Sequence, residues 1–363
     1  MSGGAPELPE DVLCRVRDLH VRFRTDEGIV TALDGVEFDI KQGRTLGVVG
    51  ESGSGKSVST KALIQLLPNN AVIGTQSLIL FRKRDGTVVD IARMAPGSRE
   101  SRQLRGGEIG MIFQEPMASF SPVYSIGNQM VEAIRQHQTL SPVHTIGEQI
   151  SDAVKAAHDV GRKAAKSIAV EMLDKVGIAN PALRVDQFPH EMSGGMRQRA
   201  MIALALSTRP SLLIADEPTT ALDVTIQAQI LELMRELQAE FGMSIVFITH
   251  DMGVISQIAD DIAVMYLGRI AESGSTRDVV FNPQHPYSQG LIDAIPKLDH
   301  LDRRLVPVPG DIPSPLHRPS GCTFHTRCTR KITGRCDLEV PGITRIDGRH
   351  LVSCHLHAEP TAS

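Results

Sequence analysis

Thr45-Leu-Gly-Val-Val-Gly50-Glu-Ser-Gly-Ser-Gly-Lys56-Ser57-Val-Ser-Thr-Lys-Ala-Leu-Ile-Gln-Leu-Leu67-Pro68 joins an apolar run to a helical one through a glycine-rich loop. Thr45–Val49 is short and apolar, as a buried strand is. Lys56–Leu67 reads as a helix stopped at Pro68, because proline cannot continue it. Between them, residues 50–57 fit GxxxxGK[ST], a pattern that carries weight only between a strand and a helix, where it stands here. The physical reading is a phosphate loop. Gly50, Glu51, Ser52, Gly53, Ser54 and Gly55 turn their backbone N–H groups towards phosphate oxygens, and the helix N-terminus adds favourable partial charge. Lys56 reaches the terminal phosphates, and the Ser57 hydroxyl can ligate Mg²⁺.

Leu212-Leu-Ile-Ala-Asp216-Glu217 is a second apolar strand, ending in two acids. In open α/β sheets the carboxyl ends of the strands line the ligand crevice. Asp216 can there orient Mg²⁺, and Glu217 can polarise an attacking water as general base.

Further out, strand-like runs alternate with helical patterns, the signature of a parallel-sheet α/β fold. Ser77–Arg82 and Thr87–Ile91 flank Asp85-Gly86 and predict a hairpin. Helical periodicity dominates from about 120 to 206. Ile245–Thr249 reads as a further buried strand, with a helix over Val224–Phe241 before it. Residues 1–11 read as a disordered lead-in, and after 282 the sequence turns Pro-, Arg- and Cys-rich. Ser121–Ile134 (SPVYSIGNQMVEAI) and Ser141–Val154 (SPVHTIGEQISDAV) match at seven of fourteen positions, a tandem copy offset by 20 residues.

Composition is that of an ordinary globular chain: 41% hydrophobic, 22% charged, net charge −4, so bulk charge gives no reason to expect nucleic acid. The longest apolar runs are strand-sized, short of the roughly 20 residues a membrane-spanning helix needs. The Pro/Gly-rich acidic start lacks the basic and apolar parts of a signal peptide, so a cytoplasmic location is expected. Cys14 reads as a plain thiol. Cys322, Cys328, Cys336 and Cys354 give four soft ligands, suited to zinc or an iron–sulfur cluster in a reducing compartment. Between Arg303 and Arg335 stand seven Lys or Arg against one acid, Asp311.

Met192-Ser193-Gly194-Gly195-Met196-Arg-Gln-Arg199 resembles the signature of ABC ATPases. Gln114 matches their Q-loop, Ala221-Leu222-Asp223 their D-loop and His250 their switch histidine. Phe23 matches the aromatic that stacks on adenine. The resemblance implies an ABC-type nucleotide-binding domain over 12–282. Its parts would be a RecA-like parallel-sheet core, an antiparallel β subdomain and an inserted helical subdomain at about 116–206. Residues 283–363 would form a small Cys-rich extension. It also implies two ATP molecules between two such domains, each on one chain's phosphate loop with Mg²⁺ held by Ser57, Gln114 and Asp216. Ser193, Gly194, Gly195 and Asp223 would complete the other chain's site.

Within that family, residues 187–199 and 213–223 are similar to the oligopeptide/dipeptide importer ATPases. So are Asn282–Tyr287, Val308–Pro313 and Gly321–Cys328. This implies two transmembrane permease subunits, a second ATPase subunit (sister chain or self) and an extracytoplasmic solute-binding protein. It places the chain on the cytoplasmic face of the inner membrane. Cargo in relatives includes peptides, nickel, opines and oligosaccharides. A permease helix is expected to dock on 114–127, where Met117, Ala118, Phe120, Pro122 and Val123 suit an apolar groove, with the second repeat copy outside the helical subdomain. The resemblance favours a [4Fe–4S] cluster over zinc at the four late cysteines. The interleaved Arg318, Arg327, Arg330, Lys331 and Arg335 would then offset its charge, in a structural or regulatory role and not in catalysis, since the ATP-handling motifs end by His250. An ABC protein acting on ribosomes or DNA is the rival reading. This chain has one ATPase half, no coiled coil, and a basic run without interleaved aromatics.

Overall fold

The structure is a computed structural model and describes residues 8–113, 144–157, 160–220, 223–295 and 308–357. It divides into two compact units, one built from residues 1–82, 88–93 and 247–363, the other from 83–87 and 94–246.

The first unit holds two sheets. In one, Val12–Thr25 and Gly28–Lys41 pair antiparallel from Val12↔Lys41 to Thr25↔Gly28. Leu78–Arg82 joins the other edge of Val12–Thr25, and Val88–Asp90 closes the hairpin foreseen around Asp85-Gly86. Val16, Leu19, Val21, Leu33, Val36 and Ile40 are fully buried. Cys14 lies among them, and burial drives its thiol pKa well up, leaving it an inert thiol. Residues 8–11, expected within a disordered lead-in, are held by the fold. Leu8 is buried against Val12 and Leu80, and the carbonyls of Leu8 and Pro9 accept hydrogen bonds from Arg82.

In the second sheet Thr45–Val49 runs parallel to Asp261–Tyr266, as predicted for a buried strand. Arg269–Ser275 pairs antiparallel with Asp261–Tyr266. The tail then adds His350–Val352 and Thr344–Asp347 to the Arg269–Ser275 edge. The described residues after 307 thus extend a sheet of the first unit. The helix after the phosphate loop ends at Leu63, four residues before Leu67. Gln65 takes a left-handed φ of 54° and its amide donates to the Ile91 carbonyl, so a long-range bond stops the helix before proline does.

In the second unit Ile109–Ile112 and Leu212–Asp216 pair in parallel. The helix Gly194–Leu206 packs on Ile109–Ile112, and the helices Ile146–Ala157 and Arg162–Lys175 pack on each other and on Gly194–Leu206. The second repeat copy therefore does not lie outside. Ile146, Ile150 and Val154 recur every four residues along one helix face and are fully buried. The Ile146 and Gly147 N–H groups bond the Gln187 and Val185 carbonyls, and a Cβ on Gly147 would stand 2.3 Å from Val185. The first copy, Gln114 and the expected docking groove lie outside the described residues.

Candidate nucleotide site

The phosphate loop is shaped by close backbone approach. A Cβ on Gly50 would stand 2.2 Å from the Met265 carbonyl oxygen, and one on Gly55 would stand 2.9 Å from that of Ala32. The Ser54 N–H bonds the Glu51 carbonyl, and the Gly268 N–H bonds that of Ser54. Lys56 is buried, and its Nζ donates to the Gly50 and Glu51 carbonyls at 2.7 and 3.0 Å, which holds the ammonium in the loop. Ser54 Oγ is buried without a hydrogen-bond partner among the described residues. The first turn of Lys56–Leu63 contains no acid. A free N-terminal dipole, a buried ammonium and an orphaned hydroxyl suit an anionic ligand, so these residues fit a nucleotide triphosphate with its magnesium.

Phe23 is half-buried on its strand, in register with Val30 and Ala71. His250 is exposed directly after the strand Ser244–Thr249. Asp251, next to it, caps the following helix through the Gly253 and Val254 N–H groups.

The second unit carries the other motif residues. Asp216 is buried at the end of Leu212–Asp216. Glu217 sits at φ 49°, a left-handed conformation that costs a side-chain-bearing residue about 1–2 kcal/mol. This turn ends the strand and leaves the carboxylate half-exposed, with the Thr220 hydroxyl donating to Oε2 at 3.0 Å. Ser193 caps the helix Gly194–Leu206, its hydroxyl accepting from the Met196 N–H. That helix also opens without an acid, and Ser193 and Gly194 are exposed, leaving the helix N-terminus open to an anion. Asp223 caps Val224–Phe241 by accepting from the Ile226 N–H at 2.9 Å, a local role beside any expected contact with nucleotide. Gln114, Ala221 and Leu222 lie outside the described residues.

The late cysteines do not form the site expected of them, for an iron–sulfur cluster or a zinc ion. Among the described residues no three His, Cys, Asp or Glu are placed to hold one. Burial raises the thiol pKa of Cys328 and Cys354 and pushes that of Cys322 up to about 11, each helped by neighbouring thiols. The basic residues around them mostly have other partners. Arg318 pairs with Asp34, Arg327 with Glu51 and Arg335 with Glu339, while Arg330 donates to Gln289. Arg318, Arg327 and Arg335 thus spend their charge on carboxylates of the fold, while Arg330 and Lys331 still act on Cys328 and oppose the rise in its pKa.

Two residues that sequence reasoning passed over touch the phosphate loop. The Glu51 N–H donates to the Tyr287 hydroxyl at 2.9 Å, and the Arg327 guanidinium grips the Glu51 carboxylate. Tyr287 is fixed in turn by His285, whose Nδ1 accepts the Tyr287 N–H at 3.0 Å. Burial lowers the His285 pKa to about 3, so the ring stays neutral and keeps its acceptor. Buried Glu272 accepts the Gln284 and His285 N–H groups and meets His350 Nε2, tying this segment to the tail hairpin. The sequence signal was present in 282–287, read only as a family marker, and in 321–328, read for its cysteines and its basic charge.

Residues 33–220 match the family model for ABC transporters, and 271–336 match the oligopeptide/dipeptide transporter C-terminal region. The dipeptide transport ATP-binding protein DppD of Bacillus subtilis is 43% identical over 341 residues, 94% of this chain and 93% of its own. The oligopeptide transport ATP-binding protein OppD of Haemophilus influenzae is 42% identical over 347 residues, 96% of this chain and 98% of its own. Among solved structures, the dimeric ABC transporter cassette MJ0796 gives a TM-score of 0.58 at 23% identity, over 73% of this chain and 99% of that one, a likeness of fold. The chain belongs to the ABC transporter family, as an ATPase of the branch that carries the oligopeptide/dipeptide transporter C-terminal region.

Proposed function

We propose that this chain hydrolyses ATP to energise the import of oligopeptides or dipeptides through a membrane ABC importer. One observation carries the reading: the segment matched to the oligopeptide/dipeptide transporter C-terminal region includes the two residues that hold Glu51 of the phosphate loop. Among the described residues no helix is long and apolar enough to span a bilayer. Two permease subunits would provide the path, a solute-binding protein the cargo, and a second ATPase chain the opposing half-site. The working place is then the cytoplasmic face of the membrane.

The roles follow from the residues. Gly50–Gly55 and Lys56 bind the phosphates, and Phe23 supports adenine. Ser57 and Asp216, with Gln114, would hold Mg²⁺, which offsets charge on the transferring phosphate. Glu217 takes the proton of the attacking water, and His250 orients it. Ser193, Gly194 and Gly195 present a helix N-terminus to the phosphate held by the opposing chain, and Asp223 stands at that seam. A strain lacking this chain should lose uptake of labelled di- and oligopeptides, and the wild-type gene should restore it. Unchanged peptide uptake with lost nickel, opine or oligosaccharide uptake would move the cargo and leave the ATPase reading intact.

A second reading concerns Cys322, Cys328, Cys336 and Cys354. The Cys322 N–H bonds the Cys336 carbonyl at 2.8 Å, which brings two of the four together. A single zinc would need sulfurs at about 2.3 Å from a common centre, a fit the described residues lack. A [4Fe–4S] cluster on the four thiolates is the group that the family resemblance favours. Anaerobically purified protein should then contain about four iron and four sulfide per chain. Colourless protein without iron would sink this reading.

A further inference from the structure

Three tail segments that look unrelated in sequence meet at one residue of the phosphate loop. From Asn282–Tyr287, the Tyr287 hydroxyl accepts the Glu51 N–H. From Gly321–Cys328, Arg327 reaches Glu51 with a two-pronged grip, Nη1 to Oε2 at 2.6 Å and Nη2 to Oε1 at 3.1 Å. From Val308–Pro313, the Pro309 carbonyl accepts Arg327 Nε at 2.8 Å and the Val308 carbonyl accepts Nη2 at 3.2 Å. The Tyr266 hydroxyl lies 3.4 Å from Nη1. A guanidinium has five N–H donors in a fixed fork. Here each has an acceptor. The Arg327 side chain is 3% exposed, and its charge lies against the rings of Tyr266 and Phe324. Tyr266, Tyr287 and Phe324 pack on one another, with ring centres 4.8 to 5.3 Å apart.

So complete a cage defines where the guanidinium sits, and with it where Glu51 sits. Every handle of Glu51 is taken: its N–H by Tyr287, its carboxylate by Arg327, its carbonyl by Lys56 Nζ. A phosphate loop works by presenting backbone N–H groups at fixed angles, so anchoring its second residue sets the geometry of the cradle. The pairing also settles a conflict of charge. A bare carboxylate inside a loop built for polyanions would repel them, and Arg327 cancels it in a water-poor setting where such terms are large.

We propose that Arg327 is a positioning residue for the nucleotide site, and that the C-terminal extension, through Arg327 and Tyr287, presets the phosphate loop for the triphosphate. This rests on the nucleotide-site reading above. It gives the tail a part at the nucleotide site that the sequence motifs, which end by His250, did not show.

The test is a double-variant cycle on Mg²⁺–mant-ATP affinity in the full-length protein, with melting temperature followed in parallel. Arg327→Ala should raise the Kd at least about tenfold, since it strips the loop of an anchor and bares the Glu51 charge; tenfold corresponds to about 1.4 kcal/mol. Arg327→Lys keeps the charge but loses the fork, and should fall between Arg327→Ala and wild type. Glu51→Gln alone should cost less than Arg327→Ala. In the Glu51→Gln background Arg327→Ala should add little, because the two residues act as one unit. If Arg327→Ala does not fold, Arg327→Lys with and without Glu51→Gln gives the same comparison. Wild-type affinity in the Arg327 variants with a lowered melting temperature would reduce the contact to a staple and overturn the proposal. So would losses that multiply in the double variant. Wild-type protein that binds no mant-ATP would instead sink the nucleotide-site reading.

Discussion

Glu217→Gln is expected to lower steady-state ATP hydrolysis by about 10²–10⁴-fold while leaving nucleotide binding in place. The structure makes this substitution unusually clean. Glu217 turns the chain at φ 49° and receives the Thr220 hydroxyl on Oε2. Gln has the same shape and keeps an oxygen for that hydroxyl, so the turn and the buried strand behind it should survive. What is lost is basicity: an amide cannot take the proton from water. Turnover should therefore fall without a matching fall in mant-ATP affinity, and the ATP-bound closed pair of cassettes should accumulate on size exclusion. The measurement is phosphate release by the protein assembled with its permease subunits. Hydrolysis within tenfold of wild type would remove Glu217 from the role of base.

Gly50→Ala is expected to abolish measurable nucleotide binding by a different route. The added methyl would stand 2.2 Å from the Met265 carbonyl oxygen and 2.9 Å from Ser54 Oγ. The hydroxyl can rotate away, but the carbonyl belongs to a central strand and cannot. The loop must shift, and with it the Gly50 carbonyl that holds Lys56 Nζ. Overpacking of this kind costs about 1–3 kcal/mol of stability. The loss of affinity should be larger, at least about a hundredfold, since the whole cradle moves relative to the helix N-terminus. Calorimetric melting and mant-ATP titration separate the two effects. An Ala variant with wild-type affinity would mean that the close approach to Met265 does not fix the loop.

Much of this was legible in sequence because it is local. Thr45–Ser57 carries its own instructions: apolar strand, glycines, lysine, helix. Val224–Phe241 does too, with Asp223 as its N-cap and Gly242 at φ 65° to end it. What escaped depends on distant partners. The helix after the phosphate loop ends early because Gln65 finds the carbonyl of Ile91. The second repeat copy is core because residues 185–187 receive its backbone N–H groups. Left-handed Glu217 has no sequence mark, since glycine or asparagine is the usual sign of that conformation. Arg327 stood in plain view but read as one of a basic run. Only the fold shows that its charge is spent on Glu51 rather than on the four thiols.

Glu51 and Arg327 lie 276 residues apart in the chain. At translation rates of about 5–20 residues per second, the ribosome needs roughly 14–55 s to travel from one to the other. Over that interval the phosphate loop has been made but the guanidinium that grips it has not. ATP is abundant around a nascent chain, and a loop that gripped it early would do so before Arg327 existed. If Arg327 presets the loop, nucleotide capture must wait until a segment 276 residues downstream has been made.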